Sequence, residues 1–145
     1  MDAIDDRIVG VLGGDGRLSW AALAKRVNLS ASACQRRVES LVEQGVIKNF
    51  TVNLSERAQG FQVKAFVSVN VDRQQTALAD DFREAVMAHP KVRSAHMLSG
   101  TIDFMLEVVA EDLAAFGEFI NGELLAMPAV KDASSSIVLD VVKQR

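Results

Sequence analysis

SWAALAKRVNLSASACQRRVESLVEQG, residues 19–45, decides the fold of the first third of the chain. It predicts two short helices separated by a tight turn around Asn28, a residue type that tolerates a left-handed backbone. Ser19 and Ser30 stand where the two helices need an N-cap. Apolar residues at helical spacing form one buried face of the second helix, made of Cys34, Val38, Leu41 and Val42. The stretch therefore predicts a helix-turn-helix, with its second helix over Ala31–Gln44.

The outward side of the second helix carries a basic pair, Arg36 and Arg37. From Lys25 to Lys48 the chain has five basic and two acidic side chains, whereas residues 61–145 have eight basic and twelve acidic ones. This contrast favours a surface that faces double-stranded DNA, with the helix in the major groove. A solvated face on an ordinary helical bundle is the alternative. The predicted DNA-binding residues are Ser19, Lys25, Ser30, Ser32, Gln35, Arg36, Arg37, Ser40 and Lys48.

Length and composition describe an ordinary globular protein. The 145 residues carry a net charge of −3 and include one cysteine, so no intrachain disulfide can form. The acidic start of the chain is unlike a signal peptide, and no apolar run approaches the roughly 18 residues of a membrane span. We expect a cytoplasmic protein without a membrane partner. We also expect no metal site, because His89 and His96 lack further ligands nearby in the sequence.

Around the helix-turn-helix, residues 2–13 predict a first helix with Asp2 as its N-cap. Alternating apolar residues in Val46–Leu54 predict a strand or short wing. The polar stretch that follows is the best domain boundary. We therefore expect a DNA-binding domain over residues 1–54, a linker over residues 55–62, and a second domain over residues 63–145.

The second half alternates strand and helix signals. Strands are predicted over Val63–Val71, Val92–Leu98, Asp103–Val109 and Val130–Val142, and helices over Gln75–His89 and Glu111–Met127. The order βαββαβ is that of a ferredoxin-like α+β domain, with both helices on one face of the sheet. The other face is expected to carry Phe66, Met97 and Met105. Since an uncovered apolar face normally needs a partner, we expect it to dimerise.

Taken together, these features resemble the Lrp/AsnC (leucine-responsive, feast/famine) transcription regulators. The resemblance rests on Asp15-Gly16-Arg17-Leu18-Ser19, Leu23-Ala24-Lys25-Arg26-Val27 and Gly45-Val46-Ile47 in the first half. In the second half it rests on Ser99-Gly100-Thr101-Ile102-Asp103-Phe104, which matches a Gly-x-x-Asp-aromatic turn, and on Met127-Pro128-Ala129-Val130. Each piece is weak alone, but together and in order they cover nearly the whole chain.

The resemblance implies a winged-helix-like DNA-binding domain followed by an ACT-like (RAM) sensor domain. It also implies homodimers that assemble into tetramers, octamers or larger rings, and a free amino acid bound between dimers. Carried over, the effector-binding residues are Leu98, Gly100, Thr101, Asp103 and Ser135. The departures are Ala129 in place of a glycine, and Ala133 and Ser135 in place of two threonines. The identity of the effector does not carry over, and no cofactor is implied.

Two other classes of protein remain open at this point. One is an architectural DNA-binding oligomer that has no effector. The other is an enzyme or an amino-acid-sensing regulatory subunit of one, although the sequence shows no nucleophile–base pair or phosphate loop. Retention on DNA at low salt distinguishes a DNA-binding protein, with or without an effector, from an enzyme or a regulatory subunit of one.

Overall fold

The computed structural model describes residues 1–143 and divides into two compact units. The first unit ends at Asn53 and the second begins at Leu54. The first is helical and contains a helix-turn-helix, and the second is an α+β domain built on a four-stranded sheet. This arrangement confirms the predicted fold class.

Three helices form the first unit: α1 (Ala3–Gly14), α2 (Trp20–Val27) and α3 (Ala31–Glu43). Apolar side chains from all three meet in one core, and the fully buried ones are Ile8, Leu23, Val27, Cys34 and Leu41. The buried face of α3 was predicted correctly except for Val42, which is 41% exposed. Because successive residues lie about 100° apart on a helix, Val42 turns away from the core once Leu41 faces it.

The strand or short wing predicted over Val46–Leu54 is wrong. Apart from turns and bends, residues 46–54 have no regular structure, and Phe50, Val52 and Leu54 are each more than half exposed. Ile47 alone packs against the helical core. Alternation favours a strand only where a neighbouring strand supplies hydrogen bonds, and none is paired with this segment in residues 1–143.

The second unit contains four antiparallel strands in the order β2-β3-β1-β4. Their bounds are β1 (Val63–Val71), β2 (Val92–Met97), β3 (Phe104–Ala110) and β4 (Val130–Ile137). Strand β1 follows the prediction because every second side chain is buried: Val63, Ala65, Val67, Val69 and Val71. Strand β4 stops before the predicted Val142. Its partner β1 begins at Val63, so little chain remains to pair with residues beyond Val138.

Helices cover one face of the sheet. They are α4 (Thr76–Ala88), α5 (Leu113–Glu118) and a π-helical continuation, Phe119–Leu124, where one regular helix was predicted. In this continuation the Leu125 N–H donates to the Ile120 carbonyl, 2.9 Å away. The side chains that join helices and sheet into the core include Phe82, Val86, Phe116, Phe119 and Leu124.

The opposite face of the sheet carries Phe66, which is 43% exposed, and Met105. Met97 was expected beside them, but this is wrong. In the register of β2 and β3, Met97 pairs with Phe104 on the helix-covered side, whereas His96 pairs with Met105. A shift in the register between Val92 and Ser94 changes which residues face each side, and this shift cannot be inferred from the alternation alone.

Candidate functional site

Two serine caps and one asparagine position the recognition helix α3. The Ala22 N–H donates to Ser19 Oγ at the start of α2, and the Ala33 N–H donates to Ser30 Oγ at the start of α3, both at 3.2 Å. Asn28 ends α2 in the left-handed conformation, with φ 63°. These features fix where each of the two helices begins and where α2 ends.

The surface that α3 offers to a partner is polar and basic. Seven of the predicted DNA-binding residues are exposed: Ser19, Lys25, Ser30, Ser32, Gln35, Arg36 and Lys48. Within residues 1–143, Arg36 forms no ion pair, so its charge is available to a phosphate. Gln35 donates to Glu39 Oε1 at 2.9 Å, and Ser40, which is half-buried, accepts from Gln44 at 2.9 Å.

Arg37 behaves differently from its neighbour. The sequence places it on the outward side of α3, but in the structure its guanidinium turns toward the start of α1. Its Nη1 donates to Asp2 Oδ2 at 2.8 Å and to Asp5 Oδ1 at 2.7 Å. These hydrogen bonds raise the pKa of Arg37 above its ordinary value. Arg37 is therefore a link between α3 and α1, a role that sequence reasoning missed.

The same two carboxylates cap α1. Asp2 accepts from the Asp5 N–H, and Asp5 accepts from the Asp2 N–H, in a reciprocal capping box. The backbone hydrogen bonds are the largest cause that lowers the pKa of both carboxyl groups, and Arg37 comes second. The Asp-x-x-Asp spacing signals the cap in the sequence. It gives no signal of a partner 32 to 35 residues away.

In the second unit, Asp103 is tied to the end of β1. Its Oδ2 accepts from the Val71 N–H at 2.9 Å, and its Oδ1 accepts from the Arg73 guanidinium. The hydrogen bond from Val71 is the main cause that lowers the pKa of Asp103, and Arg73 lowers it further. Asp103 is 8% exposed, and among the described residues it is the one charged residue that is buried. The carboxylate of this predicted effector-binding residue therefore already has partners within the second unit.

A cleft of about 360 Å³ opens beside Asp103, between the start of α4 and the ends of β2 and β3. Its polar lining consists of Arg73, Thr76, Asp80, Arg83 and Asp103. Its apolar lining consists of Val71, Ala79, Met97, Leu98 and Phe104. A mostly apolar cavity of this size with a few convergent charged groups is typical of a small-molecule site.

The predicted effector residues are only partly brought together. Leu98 and Asp103 line the cleft, whereas Gly100, Thr101 and Ser135 do not. Gly100 has φ 131°, a conformation that requires glycine, and shapes the turn before Asp103. Ser135 is exposed on β4 opposite Val67. Sequence reasoning missed the charged contributions of Arg73, Asp80 and Arg83. Acids and bases on a helix, such as Asp80 and Arg83, usually indicate a solvated face, and Arg73 lies in the turn before α4.

Two structural findings concern other kinds of site. No helix within residues 1–143 is both long enough and apolar enough to cross a membrane. Over the same residues, no group of three His, Cys, Asp or Glu side chains is arranged to hold a metal ion. His89 instead contacts Glu123 through Nε2 at 2.9 Å and accepts from the Lys91 N–H through Nδ1.

Each of the two units matches a known domain family. Residues 1–42 match the AsnC-type helix-turn-helix domain, and residues 64–145 match the Lrp/AsnC ligand binding domain. The leucine-responsive regulatory protein of Rhizobium meliloti is 39% identical over 143 residues, which cover 99% of this chain and 92% of that protein. The Bkd operon transcriptional regulator of Pseudomonas aeruginosa is 36% identical and is aligned over 100% of this chain and 95% of its own length.

Among solved structures, a transcriptional regulator from Neisseria meningitidis in complex with L-Met superposes with a TM-score of 0.95 at 33% identity, over 99% of this chain and 93% of that chain. An AsnC family regulator from Agrobacterium tumefaciens superposes with a TM-score of 0.90 at 32% identity, over 99% and 94% of the two chains. A helix-turn-helix unit joined to a ligand-binding α+β unit defines a transcription regulator, not an enzyme. This chain belongs to the Lrp/AsnC family of such regulators.

Proposed function

We propose that this regulator binds double-stranded DNA in a sequence-specific manner through α3 and changes its DNA affinity when a free amino acid binds its second unit. The observation that carries the first part is Arg36, which is exposed on the capped helix α3 and forms no ion pair with any residue the structure describes. The observation that carries the second part is the cleft beside Asp103, which has a mostly apolar surface and four charged side chains in its lining. A related regulator forms a complex with L-Met, which supports an amino acid as the class of effector.

In the DNA complex, the exposed side of α3 enters the major groove. Its early residues Ser32, Gln35 and Arg36 lie closest to base edges and phosphates, as in other helix-turn-helix proteins. Lys25 and Lys48, outside this helix, add phosphate contacts. Because DNA lies in the cytoplasm of a bacterial cell, a cytoplasmic location is part of the proposal. Arg37 contributes by holding α3 against α1 and not by contacting phosphate.

Assembly is also part of the proposal. The open face of the sheet presents Phe66 and Met105 to solvent in the single chain, and an apolar patch of this kind favours a second copy. A homodimer places two recognition helices on one molecule, so that two half-sites on one face of the DNA are engaged together. Dimers then associate into tetramers, octamers or larger rings.

DNA binding is tested by selecting duplexes from a random pool and measuring their affinity by fluorescence anisotropy over a range of salt concentrations. The proposal predicts that Arg36→Ala lowers the affinity and reduces the slope of log K against log [salt] by about one unit, for one lost phosphate contact. Arg7→Ala, which removes an exposed charge from α1, is the matched control and leaves the slope unchanged. Equal slopes for all three proteins would contradict the assignment of α3.

The amino-acid response is tested by a thermal-shift series with the common amino acids at millimolar concentration. A ligand present at about 100 times its dissociation constant adds roughly 2.7 kcal/mol, which raises the unfolding midpoint by several degrees. If no amino acid raises the midpoint while DNA binding persists, the chain is an architectural DNA-binding oligomer. If DNA is not retained even at low salt, the chain acts instead as a regulatory subunit.

A further inference from the structure

Gln35 and Glu39 are joined to each other on the exposed side of α3. The Gln35 side-chain Nε2 donates to Glu39 Oε1 at 2.9 Å, one helical turn further along. Both residues are exposed, and they share one helix face with Ser32 and Arg36, because residues three or four apart lie above one another. Water competes for both groups of such a pair, so the hydrogen bond adds little to stability. Its main consequence is that it orients the Gln35 amide.

The pairing fixes which end of the amide points away from Glu39. A glutamate carboxylate only accepts hydrogen bonds, so the amide nitrogen must face Glu39 and the carbonyl Oε1 must face away from it. Glu39 takes one N–H of Gln35, whereas the second N–H and Oε1 form no hydrogen bond with any residue the structure describes. The amide therefore keeps one donor and one acceptor for a partner, on the helix face that is proposed to meet DNA.

A donor and an acceptor on one planar amide match adenine in the major groove. Adenine presents the N7 acceptor and the N6 amino donor there, whereas guanine presents two acceptors, N7 and O6. Glutamine makes two hydrogen bonds with adenine, in which its N–H donates to N7 and its Oε1 accepts from N6. Opposite guanine, Oε1 in the same orientation would meet O6, one acceptor against another.

We propose that Gln35 reads an adenine in the DNA site and that Glu39 is a positioning residue, which holds the Gln35 amide in the orientation that adenine requires. This inference rests on the proposed sequence-specific binding of DNA through α3 and names a base that the helix selects. Glu39 also brings a negative charge to a face that meets phosphates. That repulsion weakens binding to every sequence alike, so it does not affect the discrimination between adenine and guanine.

The test begins with duplexes selected from a random pool by the full-length wild-type protein and by Gln35→Ala. The wild-type protein is expected to prefer adenine at one position of the site, and Gln35→Ala is expected to lose the preference at that position alone. In anisotropy titrations, exchanging this A·T pair for G·C should weaken wild-type binding roughly 5- to 150-fold. Replacing the adenine by 7-deazaadenine, which lacks N7, should weaken wild-type binding about fivefold, for one lost hydrogen bond, and leave the binding of Gln35→Ala unchanged.

Glu39→Gln separates positioning from charge. An amide at this position both donates and accepts, so it no longer fixes the orientation of the Gln35 amide. Loss of the negative charge should tighten binding to all duplexes. The preference for adenine over guanine should fall about fivefold, because a reversed Gln35 amide donates to O6 of guanine. Glu43→Gln is the matched control, since it removes an equal charge one turn later on the same face and Glu43 makes no side-chain hydrogen bond among the described residues.

The outcomes separate this inference from the function on which it rests. If the wild-type protein enriches no sequence from the pool, sequence-specific binding is refuted and this inference falls with it. If the wild-type protein and Gln35→Ala select the same sequence, sequence-specific binding stands and the reading of adenine by Gln35 is overturned. If Glu39→Gln keeps the full preference for adenine, the positioning role of Glu39 is overturned. Circular dichroism and binding to a random duplex at low salt verify that each variant is folded.

Discussion

At the scale of single residues, the neighbouring Arg36 and Arg37 on α3 have different roles. Arg36 is exposed and free to meet phosphate, whereas Arg37 holds two carboxylates at the start of α1. We expect Arg37→Ala to lower the unfolding midpoint of the first unit while leaving the salt slope of DNA binding unchanged. Fluorescence of Trp20, the one tryptophan of the chain, reports the unfolding of this unit. A reduced slope together with an unchanged midpoint would show that Arg37 contacts DNA instead.

Asp103 makes the stability of the second unit depend on pH. Its pKa is lowered in the folded protein from an ordinary value of 3.8, so the unfolded state takes up a proton first as the pH falls. The stabilisation by Asp103 is complete above about pH 4 and is lost as the pH falls through the lowered folded pKa. Below that pH the unfolding free energies of the wild-type protein and Asp103→Asn should converge. Amide hydrogen exchange of β1 measures the unfolding free energy of each protein. A difference between the wild-type protein and Asp103→Asn that stays constant down to pH 2 would argue against this role.

At the scale of elements, replacing Gly10 or Gly100 by alanine is expected to have opposite effects on stability. Gly10 lies in the middle of α1 with no neighbouring atom within 4 Å of an added Cβ. Gly10→Ala should therefore stabilise the first unit by about 0.5–1 kcal/mol, through the better helix propensity of alanine. Gly100 also has open space around it, but its φ of 131° is strained for alanine. Gly100→Ala should destabilise the turn by roughly 1–3 kcal/mol.

Denaturant unfolding of the two variants decides this prediction, with Trp20 as the probe for Gly10→Ala and β1 amide exchange as the probe for Gly100→Ala. The two substitutions are chemically the same and both sites are uncrowded, so each is the control for the other. An equal effect of the same sign at both positions would show that backbone conformation is not what distinguishes them.

The sequence predicted those elements whose residues interact locally. The caps of α2 and α3 and the bounds of β1 follow from residues a few positions apart, and they agree with the structure. Features that depend on distant residues were missed. Within residues 1–143 the segment Val46–Leu54, expected as a strand, has no strand to pair with. The register shift in β2 turned Met97 to the helix-covered face. The resemblance supplied Leu98 and Asp103, but Arg73 and Arg83 join the cleft only through the fold.

At the scale of the whole molecule, we propose that assembly depends on the open face of the sheet. Phe66 lies in the central strand β1 and is 43% exposed in the single chain. We expect Phe66→Glu to convert dimers and larger assemblies to monomers, because a charge placed in an apolar interface loses its hydration. Sedimentation velocity measures the change, and Ser32→Glu on α3 is a control for added charge. Unchanged sedimentation of Phe66→Glu would place the interface elsewhere.

We propose that an amino acid bound in the second unit alters the DNA affinity of the first. The most direct test is a fluorescence anisotropy titration of a selected duplex with and without the amino acid that gives the largest thermal shift. It is made at one fixed amino-acid concentration for the wild-type protein and for Arg83→Gln, a variant in the lining of the cleft. By linkage, a ligand that favours one state of the regulator must change the DNA affinity of the wild-type protein. We expect a change of about 5- to 150-fold for the wild-type protein and a smaller change for Arg83→Gln at the same amino-acid concentration. Identical curves for the wild-type protein with and without this amino acid, despite its measurable binding, would contradict the account.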